Sequence, residues 1–134
     1  MKILLTGVTG YIGKRLLPGL LNDGHDLVCA VRDLDRFPFS ERVRRKVTLI
    51  EIDFLDAESL DVIPSDIDAA YYLIHSMSAT SDYAEMEMLC AVNFRERISQ
   101  TQCKQVIYLT GMANSNQLSE HLSSRKSVED ELNR

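Results

Sequence analysis

Gly7, Gly10 and Gly13 stand at GxxGxxG spacing directly after the short apolar run Lys2-Ile3-Leu4-Leu5-Thr6. Glycines so placed can bring backbone close to an anion. The first permits a tight turn, the second lets N–H groups approach a pyrophosphate, and the third allows a helix to pack closely on the strand before it. The helix that starts there offers unpaired N–H groups and the positive end of its dipole to negative charge. Thr9, Tyr11 and Ile12 complete the turn and count with the glycines as candidate cofactor contacts. The pattern carries weight because an apolar strand precedes it and an amphipathic helix follows. The competing reading is an ordinary glycine-rich turn between a strand and a helix.

Three more positions could touch a dinucleotide. About twenty residues past such a turn, an acidic side chain accepts the ribose 2′-hydroxyl of NAD, whereas an arginine accommodates the 2′-phosphate of NADP. The run Val28-Cys29-Ala30-Val31-Arg32 puts Arg32 at that tip. A guanidinium presents a planar fork of donors to phosphate oxygens and stays charged at any working pH. The expectation is therefore NADP over NAD, with Arg36 as a second phosphate contact. Asp33 follows at once and leaves NAD open, and Arg32 could simply solvate a strand end. Asp53 and Phe54 close the run Glu51-Ile52-Asp53-Phe54, where a carboxylate can accept the adenine amino group or merely lead into a helix. His75 ends the next apolar run, placed for pyrophosphate or nicotinamide, or for a structural hydrogen bond.

The elements that must hold these residues alternate strand and helix, the mark of a parallel α/β sheet. The first helix carries Ile12, Leu16, Leu17, Leu20 and Leu21 on one face, with Gly24 as its terminator and Pro18-Gly19 expected to bend or weaken it. Leu27 to Val31 and Val47 to Ile52 read as strands, and Asp56 as the cap of a short helix through Ile63. Ala69 to Ile74 is apolar on both faces and therefore a central strand. Asp82 opens a helix to about Thr101, with Tyr83, Met86, Cys90, Phe94 and Ile98 near one face. Gln105 to Thr110 is the fifth strand, and a last helix runs from about Ser119 to Leu132. Right-handed crossovers then predict a doubly wound Rossmann-type sheet in the order 3-2-1-4-5.

Composition narrows the partners. A chain of 134 residues reads as a single domain, 1–134, with 45% hydrophobic and 26% charged residues, ordinary for a soluble globular protein. Fifteen basic against 20 acidic residues give a net charge of −5, which argues against a nucleic-acid surface. The basic run from Arg42 to Lys46 reads as a solvated stretch. No apolar run approaches the ~20 residues of a membrane helix, and Thr6 and Gly7 cut the N-terminal apolar stretch too short for a signal peptide. Cys29, Cys90 and Cys103 have no metal or CxxC spacing, so a reducing cytoplasm is the expectation.

Taken together these stretches resemble the short-chain dehydrogenase/reductase superfamily, and within it the atypical, NmrA-like, NAD(P)-binding branch. The resemblance rests on Leu5 to Gly13, Ala30-Val31-Arg32, Ile52-Asp53 and Val106-Ile107-Tyr108-Leu109-Thr110-Gly111. Ala70-Tyr71-Tyr72-Leu73-Ile74-His75-Ser76-Met77 and Leu118 to Arg125 are similar to one subgroup. It implies a Rossmann fold with NADP or NAD in the crevice of the sheet. It also implies further strands and a region closing over substrate. The 134 residues end within the helix after the fifth strand, so the expectation is the N-terminal Rossmann part, truncated at its C-terminal side.

Departures from the family pattern bear on activity. Its catalytic members place a tyrosine four residues before a lysine, and no tyrosine of this chain has that partner. The matching positions hold His121 and Arg125. Histidine can act as an acid near neutral pH, but arginine is no silent replacement for lysine, and both also read as ordinary residues of a helix surface. Three functions follow: the cofactor half of a dehydrogenase, reductase or epimerase-like enzyme, a non-catalytic cofactor-sensing module, or an inert domain. An exposed face of Leu122, Val128 and Leu132 predicts self-association as a homodimer.

Overall fold

The computed structural model describes residues 1–74, 83–108 and 130–133. Five parallel strands, β1 (Lys2–Leu5), β2 (Asp26–Val31), β3 (Thr48–Glu51), β4 (Ala69–Tyr72) and β5 (Gln105–Tyr108), form one sheet in the order β3-β2-β1-β4-β5. Among the described residues, the helices α1 (Tyr11–Asn22), α2 (Glu41–Arg44) and α3 (Tyr83–Ile98) and the 3-10 turns Leu34–Arg36 and Ala57–Val62 connect them. This is the doubly wound Rossmann-type α/β fold anticipated above.

Period-two alternation along the strands divides the core into two faces. Ile3 and Leu5 of β1 join Leu27, Cys29 and Val31 of β2 on the face covered by Leu17 and Leu20 of α1. Leu4, Val28, Ala30, Ala70 and Tyr72 point the other way, against Ala91, Phe94 and Ile98 of α3 and Leu60 of the second 3-10 turn. Because both faces are covered, the strands read as continuous apolar runs rather than alternating ones. Cys29 acts as a small buried hydrophobe, and burial pushes its thiol up to about 12.

Helix α1 runs through Pro18 without interruption. Gly24 ends it as expected: at φ +83° its N–H reaches the Leu21 carbonyl while the His25 N–H reaches that of Leu20, the Schellman arrangement. The basic run forms α2, capped by the Ser40 hydroxyl on the Val43 N–H, which helical periodicity over four residues is too short to announce. The Asp56-capped helix is a 3-10 turn, and β3 and β4 are shorter than the apolar runs that contain them.

Leu132, expected on an exposed face, is partly buried against the core, and Glu131 beside it is 6% exposed, with its carboxylate 2.7 Å from Arg95 Nε of α3. The return of residues 130–133 onto α3 removes Leu132 from the expected self-association patch. Leu122 and Val128 lie outside the described residues, as do His75, Asp82, His121 and Arg125.

Candidate dinucleotide cleft

The carboxyl ends of β1 to β4 open onto a cleft of about 380 Å³, within the range of small-molecule sites. In open α/β sheets this edge is where ligands bind. Its walls come from the glycine turn (Gly7, Val8, Thr9, Gly10), the end of β2 (Arg32, Asp33, Arg36), the segment after β3 (Asp53, Phe54, Leu55) and the exit of β4 (Leu73, Ile74). Met86 and Cys90 of α3 close the side.

The glycine turn is held tightly. Gly7 has φ +68°, and a Cβ there would lie 2.6 Å from the Leu73 carbonyl oxygen. A Cβ on Gly13 would lie 2.2 Å from the Gly7 carbonyl oxygen, so the start of α1 touches the turn itself. Gly10 is different: its nearest protein neighbour would be 3.3 Å away, and the residue forms part of the cleft wall. A methyl group there would press on the Gly7 carbonyl oxygen at the cleft wall.

Thr6 supports this turn, although by sequence it is only the end of a strand. Buried completely, its N–H and hydroxyl both donate to the Tyr71 carbonyl, at 3.2 and 2.8 Å, and the hydroxyl accepts the Leu73 N–H at 3.0 Å. The ends of β1 and β4 are thereby clamped beside Gly7. A hydroxyl closing an apolar strand just before the first glycine is a signal that sequence could have supplied.

α1 starts without a side-chain cap and with no acidic residue in its first turn. Its first intrahelical bond is Lys14 N–H to the Gly10 carbonyl, and the Gly10 N–H donates to the Gly7 carbonyl, which leaves the N–H groups of Tyr11, Ile12 and Gly13 without an intrahelical partner. Tyr11 and Ile12 belong to this N-terminus, but their side chains are not part of the cleft wall. Tyr11 is exposed, with the Arg15 guanidinium 3.4 Å from its ring centroid.

At the opposite end stand Arg32 and Arg36, both exposed. Asp33 between them is engaged locally: it accepts the Asp35 N–H at 3.0 Å and lies 3.7 Å from Arg36 Nε. Asp53 accepts the Leu55 N–H at 3.0 Å, and Ser59 braces the same segment by accepting the Asp53 N–H and donating to its carbonyl. Asn93, buried on α3, donates to the Phe54 carbonyl at 2.8 Å. Phe54 packs its ring against Tyr72 and Phe94. Cys90 has its thiol pushed up to about 11, mainly by burial and then by the charges of Glu87 and Asp53, with Arg32 opposing. Met86 and Cys90 belong by periodicity to an apolar helix face; their place at the cleft depends on where the crossover lays α3.

Among the described residues no cluster of histidine, cysteine and acidic side chains could hold a metal ion. An uncapped helix start, a glycine turn and exposed arginines along one groove fit a dinucleotide's pyrophosphate and ribose. Fold and cleft together define a Rossmann-type domain with a groove at the carboxyl edge of its sheet. The family model for the NAD dependent epimerase/dehydratase family matches residues 3–123, and the chain belongs to that family.

Particular relatives are similar at different depths. The Auxiliary protein GraX of Staphylococcus aureus is 29% identical over 129 residues, which cover 92% of this chain and 40% of GraX. A nucleoside-diphosphate-sugar epimerase structure from Staphylococcus aureus superposes with a TM-score of 0.80 at 19% identity, covering 99% of this chain and 46% of that one. The Citrobacter sp. triphenylmethane reductase complexed with NADP(H) gives 0.75 at 17% identity, covering 98% and 45%. The chain thus spans less than half the length of each of these three proteins.

Proposed function

We propose that the chain is the cofactor-holding part of an atypical, NmrA-like short-chain dehydrogenase/reductase protein, and that it prefers NADP. The pyrophosphate lies on the turn formed by Gly7, Thr9, Gly10, Tyr11, Ile12 and Gly13, held by backbone N–H groups. Arg32 and Arg36 take the ribose 2′-phosphate, Asp53 and Phe54 meet the adenine, and His75 lies toward the nicotinamide side. The observation that carries the preference is that both arginines line the cleft while the acid between them is occupied by its own turn. The bound dinucleotide supplies redox chemistry; this chain's described residues bind and orient it. Three free thiols are in keeping with a reducing, cytoplasmic setting.

Calorimetric titration with NADPH and NADH side by side tests this. The expected result is binding of both, tighter for NADPH. Failure to bind either would return the cleft to an ordinary sheet edge.

A second reading, retention of NAD(P) without turnover, is favoured by His121 and Arg125, which stand where the resemblance implies a tyrosine and a lysine. The relative called an auxiliary protein points the same way. Oxidation of NADPH with a panel of carbonyls and quinones separates the two: turnover supports the enzyme, and tight binding without turnover supports the sensor.

A further inference from the structure

Asp33 sits next to the strand end where an acidic residue reads the 2′-hydroxyl of NAD, yet its carboxylate is already in use. One oxygen accepts the Asp35 N–H at 3.0 Å and caps the 3-10 turn Leu34–Arg36. The other lies 3.7 Å from Arg36 Nε. Ribose hydroxyls would share these two oxygens with the cap and the ion pair. Backbone bonds also hold the turn, with the Arg36 N–H donating to the Asp33 carbonyl at 3.0 Å, and Phe37 directly after it is buried in the core. The turn itself contains three residues, none fully buried, and only Leu34 packs partly against the core. The ion pair itself is exposed and contributes little, so the cap is the side-chain restraint on the turn that carries Arg36.

From this we infer that Asp33 is a positioning residue that selects NADP: by capping the Leu34–Arg36 turn it sets Arg36 beside Arg32 at the ribose end of the cleft, and it does not read the ribose itself. The inference rests on the dinucleotide reading of the cleft and deepens it. An acid in this place, which by type alone favours NAD, acts here in favour of the phosphorylated cofactor. Its negative charge opposes the 2′-phosphate directly, and its cap opposes that effect through Arg36.

Asp33→Asn and Asp33→Ala separate the two contributions, because both remove the charge and only asparagine keeps a capping oxygen. Dissociation constants for NADPH and NADH are measured by calorimetry on each variant, alone and combined with Arg36→Ala. Far-UV circular dichroism confirms that each is folded. The expected result is NADPH binding about fivefold weaker in Asp33→Ala than in Asp33→Asn, the worth of one cap. NADH binding should be equal in the two, and the NADPH difference should vanish when Arg36 is already alanine. Equal NADPH affinity in the two single variants would overturn the inference, as would a parallel loss of NADH binding in both. If the unchanged chain binds neither dinucleotide, the cofactor reading falls and this inference with it. If it binds NADPH while Asp33→Asn and Asp33→Ala behave alike, only this inference falls.

Discussion

At the proposed ribose end of the cleft, guanidinium groups in water-exposed positions must compete with solvent for phosphate, so their value lies in charge and fork geometry rather than burial. Arg32→Ala should therefore weaken NADPH binding by roughly 1.5–3 kcal/mol, the worth of a hydrogen bond to a charged group, while leaving NADH nearly unchanged. The same titration that establishes binding measures this difference. Cys90 offers an independent reporter on the opposite wall. With its thiol pushed up to about 11, Cys90 is protonated at neutral pH, and its alkylation should accelerate about tenfold per pH unit from 7 toward 10. Saturating dinucleotide should slow that reaction at Cys90. Mass spectrometry of alkylated peptides reads it against Cys103, which lies away from this cleft at a second hollow between α3 and β5.

α1 illustrates how one element serves both core and cleft. Leu17 and Leu20 bury against the sheet, each contributing about 1.5–3 kcal/mol of hydrophobic stabilisation. The first turn, meanwhile, must lie close enough to Gly7 for its N–H groups to face the anion site. Gly13→Ala forces a methyl group to within 2.2 Å of backbone oxygen, so it should cost about 1–3 kcal/mol of stability or displace the turn. Gly19, on the exposed side of the same helix, has nothing within 4 Å of the place a methyl group would take. Gly19→Ala should stabilise by about 0.4–1 kcal/mol through the unfolded chain. Urea melts of the two variants, read with NADPH affinity, check both outcomes: Gly13→Ala loses stability or binding, and Gly19→Ala keeps binding and gains stability.

Across the molecule, the sheet ties its cleft to an apolar core. Cys29 lies at its centre with its thiol pushed up to about 12 by burial, against about 8.5 in an unfolded chain. A folded-state value raised above the unfolded one gives stability that is fully present below about pH 8.5 and is lost as pH rises toward 12. The slope from this thiol cannot exceed about 1.4 kcal/mol per pH unit. Cys29→Ala should therefore flatten the alkaline fall in stability between pH 8.5 and 10, as urea melts at stepped pH would show. An unchanged alkaline limb would assign that fall to other groups, among them Tyr72, whose hydroxyl burial also pushes up.

The fold and much of this site were legible in the chain because they depend on local signals. Apolar runs of strand length, glycines at fixed spacing and a left-handed terminator at Gly24 are set by backbone sterics and side-chain periodicity. Strand order then follows from the handedness of the crossovers. For the same reason Arg32, Asp53 and Phe54 could be placed at the sheet's carboxyl edge by counting from the ends of apolar runs. Three-dimensional packing decided the remainder. Thr6 becomes a clamp only when β4 lies beside β1, and Asn93 an anchor only when α3 crosses the segment after β3. Asp33 shows why residue type was an insufficient guide: a carboxylate can read a ribose or cap a turn, and which it does depends on the N–H groups that the folded backbone brings within 3.0 Å.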